Sequence, residues 1–360
     1  MRNFYLKWPI TPTCNLDCIF CNNKRSRPTW RSEPNESDII AFVKYINGQD
    51  AISGMTISGG EPTQAISFSI VTKMLAKRFG FITSGYIEDV HVLDNAMTNP
   101  ALGFITVSID SMSKNVVRQT RGLDVLEVQL ETLDYILNYK QKHSASFAVY
   151  INTIVSKITE PHLENLIIEL ANRNVNRIQL LKMLSTGSSD IDHKLSLTQE
   201  EELDVADRLI EFYINNLELF QGRGFDLTLR FLPNIAAQYF NKKYKRDLPI
   251  RGLGCELLRN TINLKTDMTL NVCPLCKTED WNMIKKSPLY TMKLDQIDKM
   301  YDAALGIIKN ECIYEDYNSC FQCPSRLKGD CNPCAALHQG NTHKIEIEDC
   351  IPYLKMVTTN

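Results

Sequence analysis

The stretch FYLKWPITPTCNLDCIFC, residues 4–21, decides how the rest of the chain is read. Its first part, FYLKWPI (4–10), is short, apolar and aromatic, as a β-strand is. Its second part, CNLDCIFC (14–21), sets Cys14, Cys18 and Cys21 at C-x3-C-x2-C spacing. A strand that runs into a ligand-bearing loop is how α/β units build their sites, because those sites gather at the C-terminal ends of the strands. Three thiolates are one fewer than the four ligands of a closed structural zinc site. The next cysteine along the chain is Cys255 and the first histidine is His91, so nothing nearby supplies the fourth.

Working outward, short apolar runs alternate with longer amphipathic ones. MTIS (55–58), FITS (81–84), FITVSI (104–109), FAVYINTIV (147–155) and RIQLLKM (177–183) read as further strands. Several are β-branched, which suits strands buried on both faces. Helices are predicted between them at 36–47, 127–141, 159–174 and 196–216. Pro161 sits in the first turn of one, where a missing N–H costs little. Thr198 with Glu201 three residues on is a capping box. Six β/α units over roughly 215 residues predict a partial (β/α)6 TIM-like barrel, with an open doubly wound sheet as the alternative. The expected organisation is a barrel at 1–217, a looser bridge at 218–254 containing Gly222, Gly224, Pro233 and Pro249, and a small cysteine-rich domain at 255–360.

Composition excludes several classes. The 44% hydrophobic and 23% charged content is that of a globular chain with a sizeable core. A formal net charge of −2 argues against broad attraction to nucleic acid or a membrane surface. No apolar run approaches the roughly 20 residues of a membrane span, and the N-terminal residues lack the apolar core of a secretory signal. A cytoplasmic location is therefore expected. Twelve cysteines then need an explanation other than disulfides, which a reducing compartment disfavours. They fall in two groups, three in residues 14–21 and nine in 255–350, which suggests two metal regions.

On spacing alone, Cys14, Cys18 and Cys21 suit an iron–sulfur cluster with one iron left open, a zinc site, or buried apolar thiols. With Phe20 just before the last cysteine, the motif resembles the signature of the radical S-adenosylmethionine (SAM) superfamily. SGGEPT (58–63) one strand later resembles that family's GGEP motif. The resemblance implies that the open iron takes SAM through its amino and carboxylate groups. The reduced cluster then cleaves SAM to a 5′-deoxyadenosyl radical. Cys14, Cys18 and Cys21 are accordingly the expected catalytic ligands of a [4Fe–4S] cluster. Gly59 and Gly60 are expected to let backbone approach a ligand closely, and Glu61 to offer an acceptor.

Other cofactor-side residues follow from the same resemblance. Ser108 in TVSIDS (106–111) matches a serine that contacts SAM, and Ser84 in FITSGY (81–86) aligns with a strand-three end. Arg121 is either the fork that holds the SAM carboxylate or a solvated surface arginine. Asn152 either faces the cofactor or satisfies a buried hydrogen bond. Ile178 packs on the adenine or belongs to the barrel core. Asp110, Ser111 and Ser113 read as helix N-caps before a cofactor role. KRSRPTW (24–30) either meets substrate or forms a solvated loop.

The C-terminal cysteines allow zinc ribbons or iron–sulfur on spacing alone. LKTDMTLNVCPLC (264–276) reads as a β-hairpin ending at Cys273, and CFQCPSRLKGDCNPC (320–334) followed by Cys350 resembles the SPASM extension of radical SAM enzymes. Its internal spacings, x7 and x2, depart from that extension's x5 and x3. The resemblance implies two auxiliary [4Fe–4S] clusters. Cys320, Cys323, Cys331 and Cys350 hold one. Cys255, Cys273 and Cys334 hold the other, with Cys276 or Cys312 as fourth ligand. The remaining thiol of that pair is either a hydrogen-atom donor or inert. SPASM relatives mostly modify peptides or proteins, so the expected substrate is a ribosomally made precursor peptide. The alternatives are a small molecule such as an aminoglycoside, or a non-catalytic zinc-binding interaction protein. An electron donor such as flavodoxin or ferredoxin is an expected partner. With Cys14 so near the start, leader recognition is expected from the barrel, the bridge or a separate leader-binding protein.

Overall fold

The computed structural model describes residues 2–21, 33–183, 194–232, 234–246, 248, 259–271 and 287–307. Strand β1 (Phe4–Pro9) leads through the cysteine loop towards helix α1 (Glu36–Asn47) and strand β2 (Ile52–Ser58). The alternation continues with α2 (Ser67–Met74), β3 (Arg78–Thr83), α3 (Asp94–Met97) and β4 (Leu102–Ser108). After β4 come two helices, α4 (Lys114–Arg121) and α5 (Leu126–Lys142), then β5 (Ala148–Val155), α6 (Leu163–Asn172) and β6 (Arg177–Lys182). Helices α7 (Gln199–Asn215) and α8 (Leu217–Gly222) precede β7 (Asp226–Arg230) and α9 (Asn234–Tyr244). Strands β8 (Thr261–Leu264) and β9 (Leu270–Asn271) and helix α10 (Leu294–Ile307) complete the described part.

The sheet order is β7-β6-β5-β4-β3-β2-β1-β8-β9. Strands β1 to β7 pair in parallel with their chain neighbours, and β8 joins the other side of β1, also in parallel. Among the described residues β7 and β9 do not pair with each other, so the barrel is partial. All six expected strands are present within a few residues of their predicted limits. A seventh, β7, lies in the stretch read as a bridge. Five residues between Gly224 and Pro233 are too short and too punctuated to stand out as a strand, yet β7 pairs along β6 from Arg177↔Asp226 to Leu181↔Arg230. The expected hairpin is present as antiparallel β8 and β9, and β8 makes it an extension of the barrel sheet. Cys273 lies outside the described residues.

Local chemistry sets the helix starts. Asn35 Oδ1 accepts the Asp38 N–H at 2.9 Å and caps α1. Thr198 and Glu201 form the reciprocal capping box of α7. Pro161 occupies a 3-10 turn that leads into α6, not the α-helix itself.

Burial differs from the expectation of strands covered on both faces. Along β1 and β5 every second residue is only half buried. Phe4, Leu6 and Trp8 face the helices, and Trp8 meets Phe42 of α1 edge-on at 4.7 Å. On the opposite face of β5, Tyr150, Asn152 and Ile154 look into the barrel lumen. Aromatic and ionic contacts fill the lower end of the lumen. Phe104 stacks on Tyr150 at 5.6 Å, Arg177 lies 4.9 Å over the Tyr150 ring, and Arg177 pairs with Asp226 at 2.8 Å. The cysteine loop sits at the upper end, which the described residues leave open.

Candidate functional site

The cysteine loop is held by backbone before any metal is considered. Ile10 N–H donates to Ser58 O at 2.8 Å, Gly60 N–H to Thr11 O at 2.8 Å, and Glu61 N–H to Thr13 O at 2.7 Å. These bonds continue the β1–β2 pairing past the strand ends and fix Cys14 against residues 59–61. A Cβ on Gly60 would lie 1.9 Å from Thr13 O, and one on Gly59 would lie 2.7 Å from Thr11 O. The two glycines, expected to let backbone approach a ligand closely, let the cysteine loop approach here, so that two backbones run in contact.

Glu61 is likewise turned to structural use. Its side chain is fully buried. Oε1 accepts from Thr63 Oγ1 and Thr83 Oγ1, both at 2.8 Å, and Oε2 accepts the Ser84 N–H at 2.6 Å. The residue expected as an acceptor for a ligand ties together the loops after β2 and β3. Ser84 Oγ accepts the Tyr86 N–H at 3.2 Å. Gln129 of α5, a residue the sequence reading passed over, donates from Nε2 to Ser84 O at 2.7 Å and Ser108 O at 2.8 Å. A buried glutamine in an apolar helix face was the available signal.

Arg121 is buried, not solvated. Nε donates to Asp110 Oδ2 at 2.6 Å, Nη1 approaches Cys18 Sγ at 3.6 Å, and the guanidinium carbon lies 5.3 Å from the Phe20 ring centre. A 3.6 Å contact is within hydrogen-bonding range for sulfur, whose radius exceeds that of oxygen. Burial works against the Arg121 charge, but Asp110 and Cys18 outweigh it and raise its pKa. Burial likewise raises the Cys18 thiol, with Arg121 pulling the other way. Asp110 is therefore not the expected helix cap. Its Oδ1 accepts the Ile154 N–H at 3.2 Å, and its other oxygen takes the arginine. Ser113 stands at the N-cap position of α4 without a side-chain cap bond, and Ser111 Oγ accepts the Ser113 N–H.

Beside this cluster is a cavity of about 220 Å³ lined by Phe20, Cys21, Ser108, Arg121, Asn152, Ile154, Leu181 and Lys182. Four expected cofactor-side residues, Phe20, Ser108, Arg121 and Asn152, thus come together with the cysteine loop. Asn152 Oδ1 also accepts from Gln179 Nε2 at 3.0 Å. Ile178 is not among the lining. It pairs with Ile151 on the helix-facing side and is fully buried, while its neighbour Gln179 pairs with Asn152. A period of two sends adjacent strand residues to opposite faces, so only one of the two can look into the lumen. Lys182 is an addition, held at 2.5 Å by Glu202 of α7.

The donor set fits an iron–sulfur cluster. Cys14, Cys18 and Cys21 are unbridged thiols on one loop, soft ligands of one kind. Among the described residues no three His, Cys, Asp or Glu side chains converge on a single ion. Ligands of a four-iron cluster each take their own iron, so they need not converge as zinc ligands do. Cys255, Cys273, Cys276, Cys312, Cys320, Cys323, Cys331, Cys334 and Cys350 lie outside the described residues, as does 24–30. No described helix is long and apolar enough to cross a membrane.

Comparison with known proteins now bears on this arrangement. The GTP 3′,8-cyclase of Tolumonas auensis is 24% identical over 217 residues, 58% of this chain and 61% of that protein. The probable GTP 3′,8-cyclase of Saccharolobus solfataricus is 22% identical over 281 residues, 74% of this chain and 82% of that one. The match to the first therefore spans less than two thirds of the relative's length. Among solved structures, anSMEcpe with bound AdoMet and a Cp18Cys peptide aligns with TM-score 0.67 at 15% identity, over 99% of this chain and 96% of that one. SuiB of Streptococcus suis bound to S-adenosylmethionine aligns with TM-score 0.63 at 12% identity, over 93% and 77%. At such identities the structures speak for the fold alone. The Radical SAM superfamily model matches residues 8–170, from Trp8 in β1 to Leu170 in α6. The matched stretch covers β1 to α6 of the partial barrel of parallel strands.

Proposed function

We propose that the chain is a radical SAM enzyme whose cluster is held by Cys14, Cys18 and Cys21, with SAM in the cavity beside them. The observation that carries this is the buried Asp110–Arg121–Cys18 arrangement at the edge of a cavity lined by Phe20, Ser108 and Asn152. When bound, a reduced cluster with one open iron supplies the electron that cleaves SAM to methionine and the 5′-deoxyadenosyl radical, which takes a hydrogen atom from substrate. The chain's own residues bind and shield. Arg121 offers a fixed positive charge, Ser108 and Asn152 offer polar contacts, and Phe20, Ile154 and Leu181 exclude water from the reacting centre.

The substrate we propose is a ribosomally made peptide, with the C-terminal cysteines holding two auxiliary clusters in a SPASM-like region. Two things support it. Nine cysteines follow residue 254. The fold likeness runs nearly end to end with anSMEcpe, solved with a peptide, and extends over 88% of this chain to SuiB bound to its precursor peptide SuiA. A second reading, cyclisation of GTP, is favoured by the names of the curated relatives. An electron donor such as flavodoxin or ferredoxin fits either reading.

Anaerobic purification followed by metal analysis tests the cluster assignment. Three four-iron clusters give roughly 12 iron atoms per chain and little zinc. Stoichiometric zinc would remove the auxiliary clusters from the reading. A Cys14/Cys18/Cys21 triple alanine variant should lose about four irons and all SAM cleavage, and unchanged cleavage sinks the mechanism. Incubating reduced enzyme and SAM with candidate peptides or with GTP, and reading product masses, separates the two substrates.

A further inference from the structure

We infer that Arg121, clamped by Asp110, is a positioning residue that sets the reduction potential of the cluster through Cys18. The inference rests on the proposed role of Cys18 as a cluster ligand, and it gives Asp110 a role beyond helix capping. The guanidinium is fixed on three sides: Nε to Asp110 Oδ2 at 2.6 Å, Nη1 to Cys18 Sγ at 3.6 Å, and its face to Phe20. Asp110 is itself fixed, because Oδ1 accepts the Ile154 N–H of β5. The end of α4 also grips the cysteine loop directly, with Ile19 N–H donating to Thr120 O at 3.0 Å. Gly122, at φ +83°, ends α4 beside Asp17 and lets the two segments meet. Cys18 and Arg121 therefore cannot separate without breaking several buried contacts.

The consequence is electrostatic. One-electron reduction adds a negative charge to a cluster and its thiolates. An N–H donor and a buried positive charge at one thiolate stabilise that reduced form more than the oxidised form, which raises the potential. Low exposure strengthens the effect, since little water competes: Arg121 is 7% exposed and Asp110 0%. Asp110 has two opposed influences. It holds the guanidinium in place, and its charge offsets part of the field at Cys18.

The two influences separate in substitution. Arg121→Gln removes the charge, so the cluster becomes harder to reduce. Asp110→Asn keeps an acceptor for Nε while removing the offsetting charge, so the cluster becomes easier to reduce. Opposite signs are the signature, because general loosening would admit water and move both variants the same way.

The experiment is potentiometry on the full-length holoenzyme with dithionite as reductant, following the EPR signal that changes when SAM is added. That change singles out the cluster with an open iron from any auxiliary ones. The expected result is a shift of the midpoint to lower potential in Arg121→Gln by about tenfold in the redox equilibrium, about 59 mV for one electron, with a smaller shift upward in Asp110→Asn. If Arg121→Gln does not accumulate as folded protein, because it strands the buried Asp110 carboxylate, the Asp110→Asn/Arg121→Gln double variant carries the same test and should also shift downward. A wild-type SAM-responsive signal whose potential ignores these substitutions, or moves the same way in both single variants, overturns this inference alone. A wild type with iron but no SAM-responsive signal overturns the reading of Cys14, Cys18 and Cys21 along with it.

Discussion

Two ion pairs stand at the C-terminal end of the sheet, and they line the same cavity from opposite sides. Asp110–Arg121 joins the end of β4 to the end of α4, with side chains 0% and 8% exposed. Lys182–Glu202 joins the end of β6 to the first turn of α7, with side chains 28% and 7% exposed. The first is fixed by neighbours on every side: Ile154 N–H, Cys18 and Phe20. Among the described residues the second rests on one bond of 2.5 Å, and its lysine is partly exposed. Burial raises the Glu202 pKa while Lys182 pulls it back down. The pair beside the cysteine loop is thus enclosed by its neighbours, and the pair across the cavity leaves its lysine partly exposed. The difference between the two walls is one of burial and of how many neighbours hold the charge.

The largest expected effect breaks the rigid pair. Asp110→Ala leaves Arg121 as an uncompensated buried charge and strips the Ile154 N–H of its acceptor. The expected loss of stability is about 3–5 kcal/mol, read from urea unfolding of apo-protein. A loss within the range of an exposed pair would show that water reaches Arg121 and would remove the contrast between the two walls.

Lys182→Met should cost less, about 1–2 kcal/mol near neutral pH, because Glu202 can take a proton and neutralise itself. That escape makes the cost pH-dependent, with a sign that follows from linkage. A glutamate whose folded pKa stands above its ordinary 4.5 contributes stability that is present in acid and lost as pH rises through the folded value. Removing Lys182 takes away the influence that lowers this pKa, so the folded value climbs further. The gap between Lys182→Met and wild type should therefore be small in acid and widen as pH rises. A gap that is constant across that range would mean Glu202 does not titrate with Lys182. In Asp110→Ala no comparable widening is expected, since Arg121 stays charged throughout.

How much of this was legible in the sequence divides along the same line. Six strand positions were readable because each is a short apolar run, while β7 was too short to stand out, and the capping box of α7 was readable because Thr198 and Glu201 sit three apart and cap each other. The residues collected around the cavity were readable in part. Phe20, Ser108, Arg121 and Asn152 reach it, the first three at or near a strand end or motif and Asn152 as the polar residue within an apolar strand. What could not be read is any role set by a partner distant in sequence. Glu61 looked like a ligand acceptor, and only the fold reveals that Thr83 and Ser84 take up its oxygens. Asp110 looked like a cap, and Arg121 lies eleven residues on, across a helix. Gln129 gave no signal beyond being polar in a buried face. Ile178 was left open between adenine and core for a simpler reason: a shift of one residue along a strand changes the face, and a short strand does not announce its phase.

The smallest effect gives the finest test of how separate the two walls are. Thr198 caps α7: its Oγ1 accepts the Glu201 N–H, and its carbonyl accepts the Glu202 N–H at 2.9 Å. Thr198→Ala should cost about 1 kcal/mol, seen as a modest fall in the unfolding midpoint. The informative quantity is its coupling to the two ion pairs. Glu202 sits in the turn that the cap secures, so loosening that turn weakens its hold on Lys182. Combined with Lys182→Met, the cap variant should then be non-additive by about 0.5 kcal/mol or more, whereas with Asp110→Ala the two losses should sum to within about 0.3–0.5 kcal/mol, as independent sites do. Coupling of equal size in both combinations would mean that the cavity's two walls unfold as one unit and that the contrast between them is only one of exposure.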